Sequence, residues 1–174
     1  MSEPQAHVLV EGVSDVIAVE ALAARLGRDL AAEGVVVRSI GGAHAIARVL
    51  GDLPEATTVV GLCDENEAPV FGRAAARAPG LGFEFFVCRA DLEDELLRAL
   101  GLGAAEALLS EHGDLRSFRT LQKQPAWQGY PADRQLRGFM HSSDSRKLRY
   151  ARILVDALGD GQVPEPLRGL LAAV

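Results

Sequence analysis

The stretch HVLVEGVSDVIAVEAL, residues 7–22, changes its hydrophobic period in the middle. Residues 8–10 are a continuous apolar run, typical of a buried strand, whereas from Val16 onward the apolar residues fall at helical spacing. Glu11 and Asp15 lie where the strand gives way to the helix. Acids at the rim of a core contribute little to stability, whereas a cation site requires them. The stretch therefore predicts an α/β fold with a functional site after its first strand.

Strand-like and helix-like segments alternate through the first hundred residues. Strands are predicted at 7–10, 35–40, 57–63 and 83–88. Helices are predicted between them at 15–27, 43–50 and 70–77. The strands are uninterrupted apolar runs, which is typical of parallel strands covered by helices on both faces. We therefore expect a four-stranded parallel sheet flanked by helices, in a core that covers residues 1–101.

The strand pattern stops after Leu92, and the rest of the chain is predicted to be helical. Helices are expected at 92–100, 103–112, 115–122, 132–140, 144–158 and 165–172, separated by Gly or Pro. Residues 102–174 are therefore predicted to form a C-terminal helical extension that packs on the core.

Composition excludes several classes of protein. No apolar stretch approaches the roughly 20 residues of a membrane span, and the first five residues lack the pattern of a signal peptide. Cys63 and Cys88 lie in apolar strands without a metal-binding partner nearby in sequence, which favours reduced core thiols. We therefore predict a cytoplasmic protein with no membrane partner. The net charge of −6 argues against a protein that coats nucleic acid nonspecifically.

The positive charge is concentrated in one segment, residues 116–152, which holds nine Lys/Arg and two Asp. Such asymmetry indicates a surface that faces phosphates. The alternative, that these side chains only solvate an exposed face, carries equal weight. The predicted nucleic-acid contacts are Arg116, Arg119, Lys123, Arg134, Arg137, Arg146 and Arg149.

Acidic clusters follow three of the four predicted strands. Glu11 and Asp15 follow the first, the run DENE at 64–67 follows the third, and acids between Asp91 and Glu95 follow the fourth. Sites in open parallel sheets form at the carboxyl ends of the strands, so these clusters are expected to converge. Mg²⁺ or Mn²⁺, which prefer oxygen ligands, would balance their charge. The four histidines are scattered and suggest no competing metal site.

Three segments in this order, LVEGVSD, GLCDENE and DLEDEL, resemble the TOPRIM domain of topoisomerases, primases and small nucleases. Within that superfamily the pattern is similar to the OLD (overcoming lysogenization defect) nucleases. Asp15, Glu93 and Lys147 stand where that family has a second acid, a Leu-Glu pair and a downstream Lys. The segments at 27–50 and 118–126 look like free-standing actinobacterial members of the group. The resemblance implies a Rossmann-like TOPRIM sheet.

The resemblance also implies a two-metal mechanism for phosphodiester hydrolysis. Asp64 would be the central ligand, with Glu11 and Asp15 beside it, and Glu93 would complete the second site. Glu11 has the alternative role of general base. Where the family has the second acid of an Asp-x-Asp motif, this chain has an amide, and either Asn66 or Glu67 would serve as the ligand. Lys147 would balance the charge of the transition state.

The predicted function is a Mg²⁺- or Mn²⁺-dependent endonuclease acting on DNA, with RNA as another candidate substrate. The alternative is a catalytically weak nucleic-acid-binding or regulatory module, which the amide at Asn66 favours. OLD nucleases usually carry an ATPase, but this sequence has no Gly-x-x-x-x-Gly-Lys-Ser/Thr loop. Any ATPase partner is therefore expected to be a separate protein.

Overall fold

A computed structural model of the chain describes residues 4–54 and 57–174. It contains a four-stranded, fully parallel sheet with the strand order β2-β1-β3-β4. The strands are β1 (Ala6–Val10), β2 (Val35–Ser39), β3 (Thr58–Asp64) and β4 (Glu84–Cys88). The predicted parallel sheet is confirmed. The order places β1 and β3, which precede the first two acidic clusters, side by side in the centre.

Helices flank the sheet and make up the remainder of the fold. They are α1 (Val13–Arg25), α2 (Ile46–Gly51), α3 (Ala68–Arg77), α4 (Leu92–Leu100), α5 (Leu102–Glu111), α6 (Leu115–Gln122), α7 (Ala132–His141), α8 (Asp144–Asp156) and α9 (Glu165–Ala172). Three short 3₁₀ turns lie at Ala43–Ala45, Glu65–Glu67 and Pro79–Leu81. The predicted helical extension is therefore present, and most boundaries differ from the prediction by one or two residues.

Side chains alternate between the two faces of the sheet, and each face is buried in its own cluster. Val8 and Val10 of β1 pack with α1, α4 and the C-terminal helices. Leu9 packs on the other face with α2, α3 and Phe83. Because both faces of β1 are covered, its sequence is a continuous apolar run rather than an alternating one. This burial explains why the opening stretch of sequence identifies a strand.

The C-terminal helices pack directly on the first half of the chain. Helix α8 lies along α1, and α9 lies against β3 and β4, where a Cβ atom added at Gly169 would be 2.4 Å from the Phe86 ring. Tyr150 of α8 is completely buried, and its hydroxyl donates a hydrogen bond of 2.9 Å to Asp114. One buried cluster contains residues from both sides of Gly101. The division of the chain at that residue stays a prediction.

Cys63 and Cys88 are buried free thiols at the ends of β3 and β4. Burial raises the pKa of Cys63 to about 12, and it raises the pKa of Cys88 as well. Both groups are therefore neutral thiols, poor nucleophiles and poor metal ligands near neutral pH. None of the helices in the described ranges is long and apolar enough to cross a membrane.

Candidate functional site

Strands β1, β3 and β4 end at the same edge of the sheet, and acidic side chains follow each of them. Glu11 comes directly after β1, and Asp64 is the last residue of β3. Asp91 and Glu93 come after β4, at the beginning of α4, and both are buried. The parallel topology therefore collects acids that are up to 82 residues apart in the sequence.

Glu11 is held by hydrogen bonds from the neighbouring strands. Its carboxylate accepts a bond of 2.9 Å from the backbone N–H of Asp64. Its carbonyl oxygen accepts bonds from the N–H of Gly42 (3.0 Å) and the hydroxyl of Ser39 (3.1 Å). Burial raises the pKa of the Glu11 carboxyl, and the charge of Glu67 adds to the effect, although the Asp64 N–H and Lys147 oppose it. Glu11 is thus fixed between β2 and β3 before any ligand arrives.

Asp15 lies in the first turn of α1, where its carboxylate accepts a hydrogen bond of 2.8 Å from the Gly12 N–H. An acid at this position stabilises the start of a helix. Burial nevertheless raises the pKa of Asp15 to about 6, and the charges of Glu93 and Glu11 contribute, against the opposing effects of the Gly12 N–H and Lys147. Capping alone does not require an acid whose pKa is raised by its neighbours, so Asp15 is a candidate for a functional role.

Asp64 has the most unfavourable electrostatic environment of these acids. Burial raises its pKa to about 7, and the charges of Glu11, Asp91, Asp15 and Glu93 all act in the same direction. Each further negative charge in this group is therefore costly unless a cation is present. The side chain is only half-buried, so it remains accessible to ligands.

Lys147 reaches this group of acids from the first turn of α8. Its Nζ atom lies 3.6 Å from Oε1 of Glu93, whose side chain is only 3% exposed. Burial favours a lower pKa for Lys147, but Glu93, Asp15 and Asp91 outweigh it and raise the pKa. The ammonium group is therefore charged and directed at the acids, although it lies 54 residues beyond Glu93 in the sequence.

Asp91 has a different role, because it joins α4 to α7. Its carboxylate caps α4 by accepting a bond of 2.8 Å from the Asp94 N–H. One of its oxygens also accepts a bond of 2.6 Å from Nε of Arg137 and lies 3.2 Å from Nε2 of His141. Burial alone would raise the pKa of Asp91, but these hydrogen bonds hold it at about 2. Asp91 is therefore an ionised structural anchor at the edge of the site.

His141 was missed by the sequence reasoning, which treated the four histidines as scattered. Its Nε2 atom lies near Asp91 and 3.6 Å from Oε2 of Glu93, and hydrogen bonds to these acids raise its pKa to about 9. Arg137, which was predicted to contact nucleic acid, pairs with Asp91 through its guanidinium, and the predicted contact stays a prediction. One feature of the sequence could have indicated that Arg137 and His141 act together: they are four residues apart, which places them on one face of α7.

The other basic candidates lie on the surface of α6 to α8, and most have partners within the protein. Arg119 pairs with Glu106 at 2.7 Å, and Arg149 pairs with Asp114. The guanidinium of Arg146 lies 4.0 Å from the centre of the Phe139 ring, and that of Arg134 lies 3.8 Å from the centre of the Tyr130 ring. Arg116 and Lys123 are exposed. Nucleic-acid binding by this surface stays a prediction.

The two candidates for the remaining metal ligand, Asn66 and Glu67, lie beside the site. Asn66 is exposed in the 3₁₀ turn after β3, and Glu67 in the same turn is half-buried and close enough to affect Glu11. Of the two, Glu67 is therefore the better placed to supply a ligand oxygen.

The Gly41-Gly42 turn after β2 also lies beside the site. Both of its N–H groups already donate within the protein, to Ser39 and Glu11. This turn is a tight turn and offers no free N–H to a phosphate.

The donor set fits a hard divalent cation. Glu11, Asp15, Asp64 and Glu93 offer only carboxylate oxygens, the ligands that Mg²⁺ and Mn²⁺ prefer. Asp91, Glu93 and His141 also bring donor atoms within 4.8 Å of one another. Asp91 already faces Arg137, however, and hydrogen bonds to Asp91 and Glu93 raise the pKa of His141, so in the metal-free protein these residues form an ion-pair network. Glu93 belongs to both groups.

The raised pKa values of Asp15 and Asp64 predict that metal binding depends on pH. Both acids have pKa values above the usual 3.8, so the metal-free folded state binds more protons than the unfolded state between about pH 4 and pH 7. Metal-free stability should therefore fall as the pH rises through this window. Metal competes with the same protons, so Mn²⁺ affinity should rise from about pH 5.5 to about pH 7.5.

Melting temperatures with EDTA and with Mn²⁺ at both pH values measure these effects. We expect Mn²⁺ at about 100 times its Kd at pH 7.5 to raise the melting temperature by about 5–10 °C at that pH. The same Mn²⁺ concentration should give a smaller rise at pH 5.5. Asp64→Asn should reduce the shift, and the metal-free variant should be no less stable than the metal-free wild type. A shift that is equal at both pH values would contradict the prediction.

Comparisons with known proteins agree with this architecture. Residues 5–59 match the family model described as "Overcoming lysogenization defect protein-like, TOPRIM domain". A solved structure of the C-terminal region of the Burkholderia pseudomallei OLD protein superposes with a TM-score of 0.71 and 19% identity, over 98% of this chain and 96% of that one. The C-terminal region of the Xanthomonas campestris pv. campestris OLD protein gives a TM-score of 0.67 and 21% identity, over 99% and 95%.

No curated protein matches this chain by sequence. The family model covers β1, α1, β2 and α2, which include Glu11 and Asp15, and the structural similarity extends over the C-terminal helices. The free-standing arrangement without an ATPase stays a prediction. The resemblance inferred from the sequence is confirmed: residues 5–59 match the OLD-like TOPRIM family model, and the chain has the fold of the C-terminal regions of OLD proteins.

Proposed function

We propose that this protein is a divalent-metal-dependent nuclease that hydrolyses phosphodiester bonds in DNA, with RNA as the other candidate substrate. One observation carries the proposal. The charges of Glu11, Asp15 and Glu93 all raise the pKa of the half-buried Asp64 carboxyl. The Asp64 N–H donates to the Glu11 carboxylate, and the Lys147 ammonium lies 3.6 Å from Glu93. A purely structural cluster would pair its acids with cations, but Asp64 has a pKa raised to about 7 by burial and by neighbouring acids. Such a site is suited to holding metal ions.

Each residue has a defined task in this proposal. Glu11, Asp15, Asp64 and Glu93 hold Mg²⁺ or Mn²⁺. The bound metal would supply an activated water and would stabilise the leaving oxygen. Glu11 keeps its orientation because the Asp64 N–H donates to it. Lys147 neutralises charge that develops on the phosphoryl group, and Asp91 positions Arg137 and His141 at the rim.

Cleavage assays with and without metal test the proposal. Plasmid DNA, linear DNA and structured RNA are incubated with Mg²⁺, Mn²⁺ or EDTA. We expect the wild type to cleave at least one substrate only with metal, and Glu11→Ala to lose this activity because a ligand or general base is gone. Glu20→Ala, an exposed acid on α1, is the matched control and should retain activity. Cleavage by Glu11→Ala at the wild-type rate would contradict the proposal.

A second candidate is a nucleic-acid-binding or regulatory module with weak catalysis. The exposed amide of Asn66, which carries no charge where the family pattern has an acid, favours it. The same assays separate the two functions, because this candidate binds nucleic acid without cleaving it. Asn66→Asp would then be expected to create metal-dependent cleavage.

A further inference from the structure

The connection between α6 and α7 presents two aromatic side chains next to the site. Trp127 packs tightly on α7, since a Cβ atom added at Gly138 would lie 1.9 Å from the indole ring. Tyr130 follows, with its ring centre 6.2 Å from that of Trp127 at an interplanar angle of 67°. The Trp127 carbonyl accepts a bond of 2.8 Å from Gln135 of α7, which fixes the connection to that helix. Tyr130 is 40% exposed, so this aromatic surface is open to ligands.

A cavity of about 380 Å³ lies between these rings and α7. It is lined chiefly by Trp127, Tyr130, Arg134, Arg137, Gly138 and His141. We call it the Trp127 pocket. The volume is within the range of small-ligand sites. A second cavity of about 560 Å³ shares Trp127, Gly138 and His141 with it.

The Trp127 pocket adjoins the acids Asp91 and Glu93 of the candidate site through two of its lining residues. Arg137 and His141 both contact Asp91, and His141 also lies 3.6 Å from Glu93. A ligand in the pocket would therefore lie next to a phosphate bound at the acids. No carboxylate lines the pocket among the residues that the structure describes.

The chemistry of the lining matches a nucleobase. Bases stack on aromatic rings and on the flat guanidinium of arginine. Arg134 already lies over Tyr130 in such an arrangement, with 3.8 Å between its Cζ atom and the ring centre. Its charge also favours an adjacent phosphate. A phosphate-only site would need the arginines but not the two aromatic rings.

We propose that the Trp127 pocket binds an unstacked nucleobase beside the scissile phosphodiester, so that the preferred substrate is a single strand or a locally opened strand. The inference rests on the proposed nuclease function and adds the substrate class. Bases inside a duplex are stacked on each other and cannot enter such a pocket without flipping. The pocket contacts a base face rather than a specific edge, so it accepts both DNA and RNA strands.

Fluorescence of Trp127, the single tryptophan of the chain, measures occupancy of the pocket directly. The protein is titrated in EDTA, which prevents cleavage, with a single-stranded DNA oligonucleotide, the same sequence as RNA, its DNA duplex, and an abasic strand. We expect both single strands to change the emission. The duplex and the abasic strand should bind more weakly and leave the emission unchanged.

Tyr130→Ala should weaken single-strand binding by about 5- to 150-fold, the loss typical of one stacking partner. Leu102→Ala, at an exposed residue of similar accessibility on α5, is the matched control and should bind like the wild type. Gly138→Ala displaces Trp127 and is a second variant, used only if its melting temperature stays close to the wild type. It should weaken single-strand binding as well.

Equal affinities for the abasic and normal strands, or binding without a change in Trp127 emission, would contradict the proposal that the Trp127 pocket binds a base. Absence of any nucleic-acid binding would overturn it too. The nuclease function fails separately, because its test is metal-dependent cleavage and its loss in Glu11→Ala. If the protein binds unstacked bases but never cleaves, the proposed base pocket is supported and the proposed nuclease function is contradicted. If it cleaves single and double strands equally and Tyr130→Ala has no effect, the nuclease function is supported and the base pocket is contradicted.

Discussion

Replacing Lys147 by alanine is expected to reduce cleavage by about 100- to 1,000-fold, the loss typical of one preorganised group that stabilises transition-state charge. The Nζ atom lies 3.6 Å from Glu93, in a region whose net charge is negative. Lys147 is positively charged and repels a metal cation. Its removal should therefore leave the Mn²⁺ affinity equal or slightly higher. Single-turnover cleavage and calorimetric Mn²⁺ titration measure the two quantities separately.

A neighbouring variant on the same helix controls for general effects on α8. Arg152→Ala removes an exposed side chain that pairs with Asp156, and it should retain the wild-type cleavage rate. Melting temperatures of both variants should stay close to that of the wild type, because neither side chain is part of the buried core. If Lys147→Ala cleaves normally, Lys147 only balances the charge of Glu93 and the proposed mechanism loses its cation.

Asp91→Ala is expected to produce the largest loss of stability, about 3 kcal/mol in the free energy of unfolding. It removes the N-cap of α4, which contributes about 1 kcal/mol, and it leaves Arg137 and His141 without their shared partner. We set the second contribution below the 3–5 kcal/mol of a fully buried pair, because the side chain of Arg137 is 40% exposed. The melting temperature should fall by about 6–12 °C, as measured by thermal and urea unfolding.

Asp94→Ala is the matched control, since Asp94 lies on the same turn and pairs only with the exposed Arg98. It should cost less than about 1 kcal/mol. The contribution of Asp91 also has a defined pH dependence. Its pKa of about 2 in the folded state is below the usual 3.8, so the stabilisation is complete above about pH 4 and is lost as the pH falls toward 2. Equal losses in the two variants would show that Asp91 does not join α4 to α7.

The elements of the fold could be predicted because their signals are local. The run Val8–Val10 is apolar since β1 is buried on both faces, and the helices carry their periodicity in sequence. The order of the strands depends on pairing between distant segments, and the sequence pattern contains no signal for it. The central position of β1 and β3 therefore emerged only from the structure.

The candidate site was predictable in its acids and only partly in its cations. Glu11 follows β1 directly and Asp64 ends β3, so their convergence follows from the parallel topology. His141 and Arg137 reach the site because α7 packs against α4, although Arg137 lies 46 residues beyond Asp91 in the sequence. Surface arginines and arginines that pair with a buried acid have similar local sequences. The ion pair between Arg137 and Asp91 could for that reason not be predicted from the sequence.

In the proposed nuclease, the packing of α8 along α1 would determine when the site is complete. Asp15 is on α1 and Lys147 is on α8, and the acids Glu11, Asp15, Asp64 and Glu93 all precede α8 in the sequence. During synthesis the ribosome releases the acids long before it releases α8. A nascent or locally unfolded chain would hold the ligands of a nuclease without its cation. The proposed activity would then appear only after α8 has docked on α1, which would protect nearby nucleic acid from unfinished molecules.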